Sequence, residues 1–150
     1  MGGFLADGQT LIAISRGDNG GGSLIRIDGA SLEVVGSTRA HDGSPKAIAL
    51  SPDHRLVITG ASDGIVRVWD GATGELLHEV QVPDQAQGAA FLDNERIAVA
   101  PEGGNVLVFA LDRQRLLETV RGTLIRGFTP EECQRFEFAP CPTLEDLRGD

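Results

Sequence analysis

The sequence predicts an all-β chain of about three stacked units, each of about four antiparallel strands, followed by a short helical tail. Three observations carry that prediction: self-similarity at 40 to 42 residues, alternating apolar and polar positions inside each copy, and 20 glycines in 150 residues with no short period. Glycine at that level marks many tight turns and hence short strands. Hydrophobic residues at 41% and charged residues at 23% suit a globular chain. No apolar run approaches the ~18 residues of a membrane span, and Met1-Gly2-Gly3-Phe4 lacks the basic and apolar regions of an export signal. A cytoplasmic location without membrane contact is therefore expected. The formal charge of −9, from 22 acidic against 13 basic residues, disfavours nucleic acid, whose partners carry a basic footprint. Twelve of those 13 are arginine and only Lys46 is lysine, an arginine bias that reflects base composition and marks no binding site by itself.

The repeat is visible without gaps. VRVWDGATGELLHEV over Val66 to Val80 returns forty residues later as VLVFALDRQRLLETV over Val106 to Val120. Forty-two residues earlier, LIRIDGASLEVVGST places Asp28 on Asp70 and Val34-Val35 on Leu76-Leu77. The front half repeats at an offset of 41: ALSPDHRL from Ala49 matches AFLDNERI from Ala90. Leu24 to Asp28 and Ile65 to Asp70 alternate as strands do, and Asp7-Gly8, Asp63-Gly64 and Gly103-Gly104 are residues that accept positive φ in hairpins. Such a meander cannot bury both its faces alone, so the units must stack. Short antiparallel strands at a period near 41 are the signature of a β-propeller, here with units at about 1–38, 39–80 and 81–120 and a tail at 121–150.

The middle unit, HDGSPKAIALSPDHRLVITGASDGIVRVWD from His41 to Asp70, resembles a WD40 repeat. That resemblance implies a buried polar tetrad of His41, Thr59, Asp63 and Trp69. The chemistry is consistent with it, because an indole donor, a hydroxyl and an Asp–His pair can satisfy one another where water is excluded. The flanking units depart from the pattern: Phe109-Ala110 replaces Trp-Asp, Ala100 aligns with Thr59 and Val82 with the His, while Ile27-Asp28 keeps only the Asp. The first unit is expected to lack its opening, because the chain is already near the Asp7-Gly8 turn at Phe4.

In the tail, Thr129-Pro130-Glu131-Glu132 is a capping box that should open a short helix through about Phe136. The run RGFTPEECQRFEFAPCPTLEDL is similar to tails of large bacterial multidomain signalling proteins, in which a WD40 propeller is linked to an NTPase or winged-helix module. Cys133 and Cys141 lie too late in the chain to staple its body. In an oxidising compartment a disulfide between them would clip the tail, and in a cytosol they would be half-buried free thiols, the preferred reading.

Convergent acids, bases or nucleophiles are missing from the pattern. His41 reads as structural, His54 as solvated in its turn, and His78 as an outer-strand residue. No spacing matches a zinc site, a phosphate loop or a dinucleotide fingerprint, so neither metal nor cofactor is expected. The loop Arg16-Gly17-Asp18-Asn19-Gly20-Gly21-Gly22 lacks the ordered ligand series of a calcium loop and reads as a hairpin connection.

A non-catalytic protein-interaction or scaffold module in a bacterial signalling or regulatory protein is thus the expected function. Contact positions are Asp42, Lys46, Asp84, Gln85 and Gln87, by the placement of propeller loops. Two alternatives stand beside it: the sensor end of a transcriptional regulator or NTPase, and a propeller hydrolase or lyase with its site in the channel. The second needs polar inner strands, whereas Ala47 to Leu50 and Ala89 to Leu92 are mostly apolar. Because three blades do not close a ring, either a homo-oligomer completes it or the chain is a piece of a larger propeller.

Overall fold

The structure is a computed structural model and describes residues 2–112 and Thr129. Its strands form three antiparallel sheets. The first contains β1 (Gly2–Phe4), β2 (Thr10–Arg16), β3 (Gly22–Asp28) and β4 (Val34–His41), side by side in chain order. The second contains β5 (Pro45–Leu50), β6 (Leu56–Ala61), β7 (Ile65–Asp70) and β8 (Leu76–Gln81) in the same order. In the third, β10 (Arg96–Pro101) lies between β9 (Ala86–Phe91) and β11 (Leu107–Ala110).

Repeated turn chemistry gives these sheets one shape. In the β1–β2 turn Asp7 Oδ1 accepts the Gln9 and Thr10 N–H groups at 2.9 and 2.8 Å, and in the β9–β10 turn Asp93 Oδ1 does the same for Glu95 and Arg96 at 2.9 and 2.7 Å. Asp53 in the β5–β6 turn takes the Arg55 N–H and the Ser51 hydroxyl. The β3–β4 and β7–β8 turns are a second matched pair. Asp28 caps Ser31, and Asp70 caps Thr73, through N–H and hydroxyl alike. Gly74 closes its turn at φ 76°, but the equivalent residue of the first sheet is Leu32 at φ 60°, a left-handed conformation that crowds a side chain.

Side-chain alternation divides the core into two seams. Val57 and Trp69 are cross-strand partners on one face of the second sheet, where they pack with Leu5, Ile12, Leu24 and Ala40 of the first. Ile58 and Val68, on the opposite face, pack with Ile97 and Val99 of the third sheet, together with Val66, Val82 and Ala86. The second sheet is therefore buried on both faces, which explains why β7 reads as nearly continuous apolar residues. The outer strands β4 and β8 are the most exposed, with Val34 and Val35 near 60% and Leu76 and Leu77 at 44%.

The structure corrects two expectations. The first sheet does have its opening strand, the three-residue β1, paired to β2 from Gly2↔Ala13 to Phe4↔Leu11. The counterpart of Thr59 is Val99 and not Ala100: Thr59 lies opposite Arg67, and Val99 opposite Leu107, three residues into their strands. The β9–β10 connection (92–95) is one residue shorter than the β5–β6 connection (51–55), so an alignment at 41 slips by one and reverses the face. Apart from Thr129, the expected tail helix, Cys133 and Cys141 lie outside the described residues.

Candidate functional site

The most specific constellation in the sequence sits at the first seam. β4 brings His41, β6 brings Thr59, the β6–β7 turn brings Asp63, and β7 brings Trp69. Trp69 Nε1–H donates to Thr59 Oγ1 at 2.9 Å, and Thr59 Oγ1 lies 2.8 Å from His41 Nε2. His41 Nδ1 faces the Asp63 carboxylate at 3.2 and 3.3 Å. The pattern assigns a neutral imidazole: Nδ1–H donates to Asp63, and Nε2 accepts the hydroxyl proton of Thr59. His41, Thr59 and Trp69 are at most 3% exposed, so each would carry an unmet polar group without the others.

Asp63 does more than hold the imidazole. Its carboxylate also accepts the N–H groups of Asp42, Gly43 and Ile65 at 3.2, 3.4 and 3.1 Å, which ties the β4–β5 connection to its own turn. Gly64 supplies the φ of 73° that this turn requires. Burial works to raise the pKa of Asp63, but the Ile65 N–H, the charge of His41 and the Gly43 N–H outweigh it and hold the carboxyl below its usual 3.8. For His41 burial dominates and lowers the pKa below 6.5; Asp63 opposes this by its charge and hydrogen bond, while the Arg67 charge adds to it.

Arg67 is the member that sequence reasoning missed. Its Nη1 donates to the Ala40 carbonyl on β4 and stands 3.4 Å from His41 Nδ1, while Nε and Nη2 both reach Glu79 Oε2 on β8 at 2.8 Å. One side chain thus joins β4 of the first sheet to β7 and β8 of the second. Above it opens a groove of about 370 Å³ between the outer strands, with Arg39, Asp42, Leu76 and Glu79 in its lining. The only sequence signal for Arg67 is a charged residue inside an otherwise apolar strand.

The contact positions inferred from loop placement gather at one end of the sheets. Asp42, Lys46, Asp84 and Gln87 are exposed and Gln85 is half-buried. Their connections are bonded to one another: Val82 N–H donates to Gly64 O and Glu102 N–H to Gln85 O, both at 2.9 Å. Asp42 is ion-paired to Arg39 at 2.8 Å. His54 is exposed as expected, yet it is not purely solvated: its Nδ1–H donates to the Phe4 carbonyl at 2.8 Å across the first seam. His78 lies mid-strand in β8 opposite Val68. The glycine-rich run from Gly17 to Gly21 is the β2–β3 connection, closed by the Gly17 N–H on Gly21 O at 2.8 Å. Among the described residues no group of three metal-ligating side chains occurs.

Stacked antiparallel meanders joined at their faces make these sheets blades of a β-propeller. Residues 32–70 match the model of the WD domain, G-beta repeat. The matched segment takes β4 from the first sheet and β5 to β7 from the second, and it contains all four residues of the buried tetrad. The repeat in sequence therefore straddles two blades in space. The chain is similar to autophagy-related protein 18 of Meyerozyma guilliermondii, 31% identical over 79% of this chain and 22% of that protein. It is also similar to eukaryotic translation initiation factor 3 subunit I of Phaeosphaeria nodorum, 25% identical over 78% of this chain and 31% of that protein. The chain thus spans between about a fifth and a third of the length of these relatives. The β-propeller domain of Cps50 (Swd1) from Myceliophteria thermophila shares the fold at a TM-score of 0.65 and 18% identity, over 75% of this chain and 35% of that one.

Proposed function

We propose that the chain acts without catalysis as a protein-interaction module, through the loops at the β4–β5, β6–β7 and β8–β9 end of its sheets. The observation that carries this reading is the gathering of Asp42, Asp84 and Gln85 on connections hydrogen-bonded into one rim, with Lys46 and Gln87 at the starts of β5 and β9 beside them. A rigid rim presents its side chains at fixed spacing, as recognition of a partner requires. The relative that is by name a subunit of an initiation factor belongs to a larger assembly, which supports the same role. Exposed Asp42 and Asp84 suit a partner segment that carries basic residues.

A charge-matched pair of variants tests it. Asp42→Lys with Asp84→Lys alters the rim, and Glu33→Lys with Glu75→Lys makes the same charge change at the other end of the sheets. Partners co-purifying with the wild type should be lost from the rim variant and kept by the control, at equal melting temperature. Equal retention by both would sink the reading.

A second copy of the chain is one partner class within this proposal. Leu11 and Ala13, paired with Ile27 and Ile25, form the face of the first sheet turned away from the second. A blade of another copy would bury that face as the two seams bury theirs. Sedimentation at micromolar concentration reads it directly, and a monomer would remove this part.

A further inference from the structure

The first seam contains a titratable group that the proposed function does not use. His41 is 1% exposed, and the hydroxyl proton that Thr59 donates to Nε2 requires the neutral ring. Charged groups face it from every element packed around it: Arg39 on β4, Asp42 beyond it, Asp63 in the β6–β7 turn, Arg67 on β7 and Glu79 on β8. Arg39 is engaged with Asp42, and Arg67 with Glu79, each at 2.8 Å. A proton added at Nε2 would turn that atom from acceptor to donor. Thr59 Oγ1, already accepting the Trp69 indole, would then accept twice, and its own hydroxyl proton would lose its acceptor. The new cation would also stand 3.4 Å from Arg67 Nη1, where partial burial weakens screening.

We propose that this seam is a proton-sensitive latch: proton uptake at His41 drives Arg67 off the Ala40 carbonyl and loosens β4 from β7. The seam between the second and third sheets is packed from Val82, Ile97 and Val99, with apolar residues at the places of His41 and Thr59, and stays closed. Acidification therefore opens one joint and leaves the other. The direction follows from the preference of the fold for the neutral ring. Stability from His41 is complete above the unfolded value near 6.5, and it drains as pH falls from there through the lower folded value.

Trp69 is the only tryptophan of the chain and lies two hydrogen bonds from the imidazole, so its fluorescence reports on the latch. Emission of the full chain is followed from about pH 8 to about pH 5 beside far-ultraviolet circular dichroism. The expected result is a reversible emission change with its midpoint below 6.5 and constant circular dichroism. Arg67→Gln should move the midpoint up and Asp63→Asn should move it down. The double variant His54→Gln, His78→Gln should keep the transition, with His41 as its only imidazole. Should Asp63→Asn fail to fold, the double variant still decides, because the ring signals of its one histidine can be followed by NMR. Flat emission across the range, a transition that disappears in the double variant, or a midpoint unmoved by Arg67→Gln would overturn the latch.

Discussion

The two seams of this molecule join the same kind of sheet by different chemistry. At the first, His41, Thr59, Asp63 and Trp69 form a buried chain of hydrogen bonds, with Arg67 reaching across to the Ala40 carbonyl. At the second, the corresponding places hold Val82, Val99 and Phe109, whose contacts are apolar, while the Asp53 N–H donates to Asn94 Oδ1 at 3.2 Å between the turns of the two sheets. Two blades thus stack without such a tetrad, here by apolar packing and a turn-to-turn hydrogen bond. What the polar network adds is direction: hydrogen bonds specify which partner and which register, whereas packing tolerates many arrangements. The added cost is sensitivity, because each member depends on the others.

Removing Trp69 tests the comparison most severely. Trp69→Ala should destabilise the chain by roughly 3–5 kcal/mol in urea denaturation, through cavity formation and loss of the indole donor to Thr59 Oγ1. Phe109→Ala at the half-buried equivalent place should cost clearly less. Equal losses would mean that the first seam owes nothing to its polar members.

Exchanging chemistry between the seams comes next. Thr59→Val leaves the Trp69 indole and His41 Nε2 without partners and should cost about 1–3 kcal/mol. Val99→Thr places a hydroxyl in the apolar seam and should cost a similar ~1–3 kcal/mol. A neutral Val99→Thr, measured by the same denaturation, would show that the second seam can satisfy a hydroxyl after all.

The matched turns separate by a smaller amount. Leu32→Gly should stabilise by about 1 kcal/mol by relieving the left-handed leucine, and Gly74→Ala should destabilise by about the same. Melting temperatures that move in the same direction would contradict the equivalence of the two turns. Smallest of all is Glu79→Gln. The Glu79 side chain is 48% exposed, so its pair with Arg67 should be worth no more than ~0.5 kcal/mol by chemical denaturation.

Much of the fold is legible in the sequence because its signals are local. Strand alternation and Asp-capped turns act within about ten residues, and with the spacing between copies they locate the sheets. His41, Thr59, Asp63 and Trp69 are legible together because one repeat contains them all. Arg67 is not legible, since its key partner is a backbone carbonyl 27 residues away, which no side-chain pattern records. The membership of β4 is hidden for a related reason. His41 opens the repeat in sequence but ends a strand of the preceding sheet, and a period says nothing about where along it the chain changes sheets. The slip from Val99 to Ala100 shows how one shortened turn reverses the assignment of face in the strand that follows it.

The central claim is that Thr59 and Trp69 act as one unit at the first seam. A double-mutant cycle of Thr59→Val and Trp69→Phe, read by equilibrium denaturation, tests it most directly. Trp69→Phe removes the indole donor while keeping most of the apolar volume. Coupling of about 1 kcal/mol or more is expected, since the second change costs less once the first has broken the chain. Additivity within about 0.3 kcal/mol would contradict that claim and mean that Thr59 and Trp69 contribute independently at the first seam.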